Sequence, residues 1–408
     1  MNLALTAREA GEPGRAAPDR PSRDAGRPIG GWAFLGVTVT SLGGPLALAA
    51  LYAPNIAADA GASAGLATLA AAVVFGAPLL IWLRYSSQIA DSGGLYAFVE
   101  AAAGRRVALV QAGLWIVSYL LYLLYTTAAI VYDTLPAVLP GVRPYRPVLE
   151  IAIPVALAAV MLAGRAVTLA VTGVLAVGQM ALVGVLATLA ASHHAPAASF
   201  GASAPAGALA TASGQTALLY ICGSLPLFLG GELARPTRTI RRGLVGGYLL
   251  VAAGVIAAVF PLAAEPGFSR APIPGMALAQ AYSGHALAVA VGVGCAVSIA
   301  GVMLVEYLAL SRLLHAVSRR PIRSVVRVLA VALVGTAPIT LLDPDRLYYD
   351  LLKPSLIALW LSQLIVFAVY PRFAARRAGR HLPAWSLATA ASAFAVYGMW
   401  ATVQHISS

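Results

Sequence analysis

The chain has 408 residues, 60% of them hydrophobic and only 10% charged, with a mean hydropathy of +0.83 and a formal net charge of +12. A soluble domain cannot hide that much apolar surface, and a membrane β-barrel would show short alternating segments rather than long apolar runs. What remains is an all-α polytopic membrane protein.

Residues 1–30 carry charge from Arg8 onward and hold no apolar segment, which predicts a disordered tail rather than a cleaved signal. Eleven stretches then follow, each apolar enough for a helix to cross a hydrocarbon core of ~30 Å. They are spans 1 to 11, at 32–54, 64–84, 107–132, 148–164, 167–191, 214–233, 243–264, 284–313, 324–342, 349–370 and 384–403. With the N-terminus placed inside, 22 of the 27 Lys and Arg residues fall on the inner side, and only Arg143, Arg146, Arg270, Arg346 and Lys353 fall outside. That bias follows the positive-inside rule. It makes the basic charge a topology signal rather than a nucleic-acid surface. It also supports the span count, because one missed helix would scramble the alternation. With eleven spans the C-terminus lies outside. Cys222 and Cys295 sit inside apolar stretches and read as small buried side chains without a disulfide.

Two spans carry helix breakers at their centres. Span 1 reads SLGGPLALAALYAP, with Gly43, Gly44 and Pro45 near its midpoint, and span 6 reads QTALLYICGSLPLFLGGE, with Gly223, Ser224 and Pro226 near its own. Glycine and proline cost about 1 and 3 kcal/mol in a helix interior. Paired central interruptions, five spans apart and in spans of opposite direction, point to an inverted-repeat transporter with its substrate at the midplane. Pro45 and Pro226 are each expected to start a half-helix whose free N–H groups face an anion such as a carboxylate. On this reading Gly44→Leu should abolish transport and leave folding nearly intact.

Three stretches resemble the amino acid–polyamine–organocation (APC) superfamily of permeases. DSGGLYAFVEAAAGRR follows span 2, GGELARPTRTIRRG ends span 6, and ALSRLLHAVSRRP closes span 8, in the order and spacing that the superfamily has. The resemblance implies a five-plus-five inverted repeat of the LeuT type and alternating access. The first repeat would span 31–191 and the second 214–370, with 192–213 an outer loop and 371–408 a peripheral eleventh span and short tail. It also implies substrate held by Gly43, Gly44 and Pro45 on the carboxylate side and by Tyr220, Cys222, Gly223, Ser224 and Leu225 on the other. Tyr119 and Tyr122 of span 3 complete that set. The sequence departs from the family where a glycine–serine–glycine would precede Pro54: Ala47, Leu48 and Ala49 stand there. Arg235 and Arg241 replace an asparagine and a proline of the span 6 ending.

Few ionisable residues lie within the spans, and each is a functional candidate. Glu306 in span 8 reads as a proton carrier, a partner for a cationic substrate, or a structural carboxyl. Glu232, ending span 6, reads as a gate or a loop-organising partner of arginines. No metal pattern, cofactor motif or P-loop is present. The expectation is a non-enzymatic secondary transporter of an amino acid or related amine in the cytoplasmic membrane, with a proton or sodium ion as possible partner. A non-transporting sensor or scaffold on the same fold is the alternative, and an integral membrane transferase the remotest reading.

Overall fold

A computed structural model describes residues 28–193, 200–201, 203–264, 266–378 and 382–405. The tail expected over 1–30 therefore lies almost wholly outside the described residues. Among the described residues, eleven helices are long and apolar enough to cross a membrane. They are span 1, Gly31–Ala57; span 2, Ala60–Ser86; span 3, Arg105–Val138; span 4, Pro140–Leu162; span 5, Arg165–His193; span 6, Ala206–Glu232; span 7, Pro236–Val259; span 8, His285–Ser318; span 9, Ile322–Leu341; span 10, Arg346–Arg376; and span 11, Pro383–Gln404. Each overlaps the apolar stretch predicted for it. The structure extends most of them by a turn, because polar residues at helix ends cost little at the membrane boundary.

The layering is uneven. In spans 1 and 6 the most apolar window is 78% buried within the protein, and in span 8 it is 67% buried, against 28% in spans 4 and 5. Spans 1, 6 and 8 therefore form the centre, and exposed valines such as Val174 and Val177 of span 5 mark an outer ring that faces lipid.

Span 1 breaks where the glycines predict. Its first helix, Gly31–Ser41, ends ahead of Gly43 (φ 70°) and Gly44 (φ 65°), and the helix restarts with Pro45 in its first position. Both glycines sit in the left-handed region, which side chains avoid. Proline fits the restart because the N–H it lacks would have no helical partner there. The restarted helix passes through a π-turn at Leu48–Tyr52 before ending at Ala57.

Span 6 behaves differently from expectation. An α-helix, Ala206–Leu218, tightens at Tyr220 into a 3₁₀ stretch over Ile221–Glu232, and Pro226 lies inside that stretch rather than at a new α-helical start. Gly223 has no left-handed backbone. The bonds from Leu219 N–H to Thr216 O, Tyr220 N–H to Ala217 O and Gly223 N–H to Tyr220 O run to the third residue back and carry the chain through without a gap. Twelve residues at ~2.0 Å each cover ~24 Å, so the C-terminal half of span 6 is a thin rod. Only span 1 therefore offers a fresh helix start at mid-membrane.

The thin rod ends against the connection between spans 2 and 3. A Cβ placed on Gly230 would lie 3.1 Å from the Asp91 backbone, and one on Gly231 would lie 2.6 Å from Ser92 Oγ. The GGE and DSGG stretches are thus two halves of one close backbone contact. Beyond it, a short helix at Leu95–Ala103 leads into span 3.

Candidate functional site

The two interruptions face each other. A Cβ on Gly43 would come within 3.0 Å of Leu219 O, and one on Gly223 within 2.7 Å of Leu42 Cδ2. Gly44 faces span 8, where its Cβ would lie 2.6 Å from Ser298 Oγ. Ser298 accepts the Ala47 N–H (3.2 Å) from the first turn after the break and donates to Gln179 Oε1 of span 5 (2.7 Å). Thr40 Oγ1 donates to Thr172 O of span 5 (3.1 Å). Spans 5 and 8 thus hold the broken span 1 by polar bonds that a continuous helix would not need.

Above this scaffold lies a carboxyl group with almost no polar support. Glu306 is fully buried; its Oε1 lies 3.8 Å from Cys222 Sγ of span 6, and its Oε2 has no hydrogen-bond partner among the described residues. Tyr119, Tyr122 and Tyr125 of span 3 are all within electrostatic reach of Glu306 and Cys222. The Tyr119 hydroxyl is buried and makes no hydrogen bond of good geometry. Tyr52, from the π-turn of span 1, lies within reach of Tyr122 and Tyr125. The rings continue toward the opposite face: Tyr119 to Tyr122 at 6.1 Å, Tyr122 to Tyr125 at 5.0 Å, and Tyr125 to Tyr348 at 5.7 Å between centroids. Tyr348 then lines a small cavity of ≈ 40 Å³ with Tyr132, Asp133 and Tyr349.

A buried carboxylate costs several kcal/mol unless something positive meets it. The arginine nearest to Glu306 along span 8, Arg312, is engaged elsewhere. Its Nε lies 2.9 Å from Glu232 Oε1, and Arg165 Nη1 lies 2.8 Å from Glu232 Oε2. Those pairs tie the start of span 5 to the C-terminal ends of spans 6 and 8, and the Ile29 N–H adds the start of span 1 through Glu232 O (2.9 Å). Among the described residues Glu306 has no ion-pair partner.

The residues singled out from sequence do not all meet. Cys222 and Glu306 meet beside Tyr119 and Tyr122, and Gly43 and Gly223 lie where spans 1 and 6 cross; Gly44 faces Ser298 instead, and Pro45 is buried in the restarted helix. Tyr220 turns away: its ring packs on Phe75 and Tyr248, with centroids 5.6 and 5.4 Å apart. Ser224 turns toward span 10, accepting Gln363 Nε2 at 3.3 Å, and Leu225 is buried. Sequence reasoning missed Ser298, Tyr52 and Tyr125. The third of these was readable, because Tyr119, Tyr122 and Tyr125 form one stripe at a spacing of three along span 3. A second polar zone flanks the C-terminal half of span 6, where Gln111 donates to Ser362 (2.9 Å) and the indole N–H groups of Trp82 and Trp115 have no partner among the described residues.

No family model and no curated protein matches this chain. Among solved structures it is similar to one reported as the substrate-bound outward-open state of a Na⁺-coupled sialic acid symporter. The TM-score is 0.55 and the identity 13%, over 92% of this chain and 89% of that chain. Likeness over nearly the full length of both chains establishes a fold shared with a transporter.

Proposed function

We propose that this chain is a secondary active transporter of a small molecule carrying a protonatable amine, an amino acid or a related amine, whose ammonium group meets Glu306. The observation that carries the reading is the position of that unpaired carboxyl, between the broken span 1, the narrowed span 6 and the tyrosine stripe of span 3. Among the described residues, Glu306 is the charged side chain that meets Cys222 and the tyrosine stripe, and it is acidic. A cation therefore suits the cluster better than an anion does. The proposal includes membership of the APC superfamily, the inverted repeat over 31–191 and 214–370, and a cytoplasmic membrane setting with the N-terminal face inside. The close contact between the GGE and DSGG stretches supports it, as do the 22 basic residues assigned to one face.

The coupling follows from the same group. Ser298 has its hydroxyl engaged in both directions, which favours a proton on Glu306 over a sodium ion at Ser298. Proton and ammonium would compete for one carboxylate, so the apparent affinity for the amine should fall as pH falls.

The test is uptake of single radiolabelled amino acids and polyamines into proteoliposomes, with and without an imposed proton gradient. Saturable uptake of one class, with Glu306→Gln weakening its binding by ~30-fold or more, is expected for a desolvated charge pair. No uptake across the panel from folded protein, or full uptake by Glu306→Gln, overturns the proposal.

A further inference from the structure

A second polar cleft, distinct from the cluster around Glu306, opens on the N-terminal face. It lies between the 95–103 helix and the end of span 8, has a volume of ≈ 320 Å³, and is lined by Asp91, Tyr96, Glu100, Arg105, His315 and Arg319 among others. Its charges are not equally available. Asp91 Oδ1 accepts the Gly93 N–H at 2.6 Å, and Glu100 Oε1 accepts the Tyr96 hydroxyl at 3.1 Å, with Arg105 beside that pair. Burial, reinforced by Glu100, pushes the Tyr96 phenol above its ordinary value, so it stays a neutral donor to Glu100. His315 Nδ1 lies 2.6 Å from Arg320 O, which makes Nδ1 the donor and leaves Nε2 for another partner. Arg319 makes no side-chain hydrogen bond or ion pair with a described residue.

Arg319 is also the one non-glycine residue with positive φ (57°) among the described residues. It caps span 8, its N–H bonded to His315 O at 2.8 Å. Glycine is the usual occupant of such a cap, and a side chain there costs about 1 kcal/mol or more. A strained arginine with a free guanidinium lines the cleft where an unstrained glycine would cap the helix as well. Backbone strain of this kind concentrates at ligand clamps.

We propose that this cleft is an anion-binding site. Its ligand carries a phosphate or carboxylate seated against Arg319, with Arg105 and His315 Nε2 beside it. The acidic residues of the lining, already answered within the protein, set the rim. Guanidinium groups suit such oxygen pairs because they can bind them through two parallel N–H donors. The chemistry admits two sources, a soluble anion or the headgroup of an anionic lipid at the membrane surface.

The test is thermal unfolding of the full-length protein, with Arg319→Gly and Arg319→Asn as variants and Arg320→Ala as control. In neutral detergent, inorganic phosphate is titrated against chloride at matched ionic strength. In nanodiscs, phosphatidylglycerol is compared with phosphatidylcholine. A saturable phosphate shift that weakens about tenfold or more in both Arg319 variants identifies a soluble anion. A shift seen only with phosphatidylglycerol, and lost in those variants, identifies a lipid headgroup. Arg319→Gly should itself raise the unfolding temperature without ligand, which separates loss of binding from loss of fold. The proposal is overturned if neither probe shifts the wild type, or if the Arg319 variants respond as the wild type and Arg320→Ala do.

Discussion

Placing a single methyl group on Gly44 tests whether the break in span 1 is built as described. The Cβ of Gly44→Ala would lie 2.6 Å from Ser298 Oγ and 2.8 Å from Ser298 O, on a backbone at φ 65°. The left-handed backbone costs an alanine about 1–2 kcal/mol. Relieving the overlap requires Ser298 to move, and its carbonyl belongs to a packed helix. Overpacking of that kind costs about 1–3 kcal/mol. Moving Ser298 also loosens the Ala47 N–H and Gln179 bonds, at about 1 kcal/mol each. A loss of about 4–7 kcal/mol is expected, so the sequence-based expectation that Gly44→Leu leaves folding intact does not survive: a leucine adds bulk to the same clash. The control is Gly76→Ala in span 2, a helical position with nothing within 4 Å of a new Cβ, which should be neutral or slightly stabilising. Thermal unfolding in detergent reads both, and Ser298→Gly, by removing the Oγ overlap, should recover part of the Gly44→Ala loss. If Gly44→Ala and Gly76→Ala unfold alike, the break does not have this geometry.

At the inner end, Glu232→Ala leaves Arg312, only 5% exposed, without its carboxylate, and should destabilise by about 3 kcal/mol. Arg165→Ala, at the more exposed pair, should cost about 1 kcal/mol or less by the same unfolding assay. Because those pairs tie spans 5, 6 and 8, maleimide labelling of buried Cys222 in a Cys295→Ala background should accelerate in Glu232→Gln; an unchanged rate would remove the gating role. Tyr220→Phe should leave uptake within about twofold of wild type, since its ring packs in the aromatic cluster around Phe75 rather than against Glu306. Equal loss in Tyr220→Phe and Tyr119→Phe would refute that separation.

The sequence told most where one residue type has one physical use. Apolar length placed all eleven spans, and two adjacent glycines before a proline placed the span 1 break, because little else in a membrane helix calls for that triplet. Span 6 was harder to read. Gly223, Ser224 and Pro226 suit either a helix restart or a narrowed rod, and the choice rests on bonds donated to the Ala217 and Tyr220 carbonyls that composition does not specify. Side-chain direction was less legible still. Tyr220 and Cys222 are two residues apart, yet one enters an aromatic cluster and the other meets Glu306. Ser298 was invisible because a lone serine in an apolar helix has no pattern; its role appears only once Gly44 and Gln179 are beside it.

The hydrogen bonds around the centre sort the spans into two groups. Span 1 is tied to spans 5 and 8 through Thr40, Ala47, Ser298 and Gln179. Span 6 is tied to span 10 through Ser224 and Gln363, and span 10 is tied to spans 2 and 3 through Tyr85, Gln111 and Ser118. Between the groups, Cys222 meets Glu306 by a weak thiol contact at 3.8 Å, while the Glu232 pairs at 2.8 and 2.9 Å join the inner ends firmly. A thiol donor gives up little on separation compared with two charged pairs. The midplane is therefore the place where the groups part most easily. On the proposed function, a cation at Glu306 would replace that thiol contact with a charge-assisted one, and one carboxyl would then set both the occupancy of the site and the hold between the two groups.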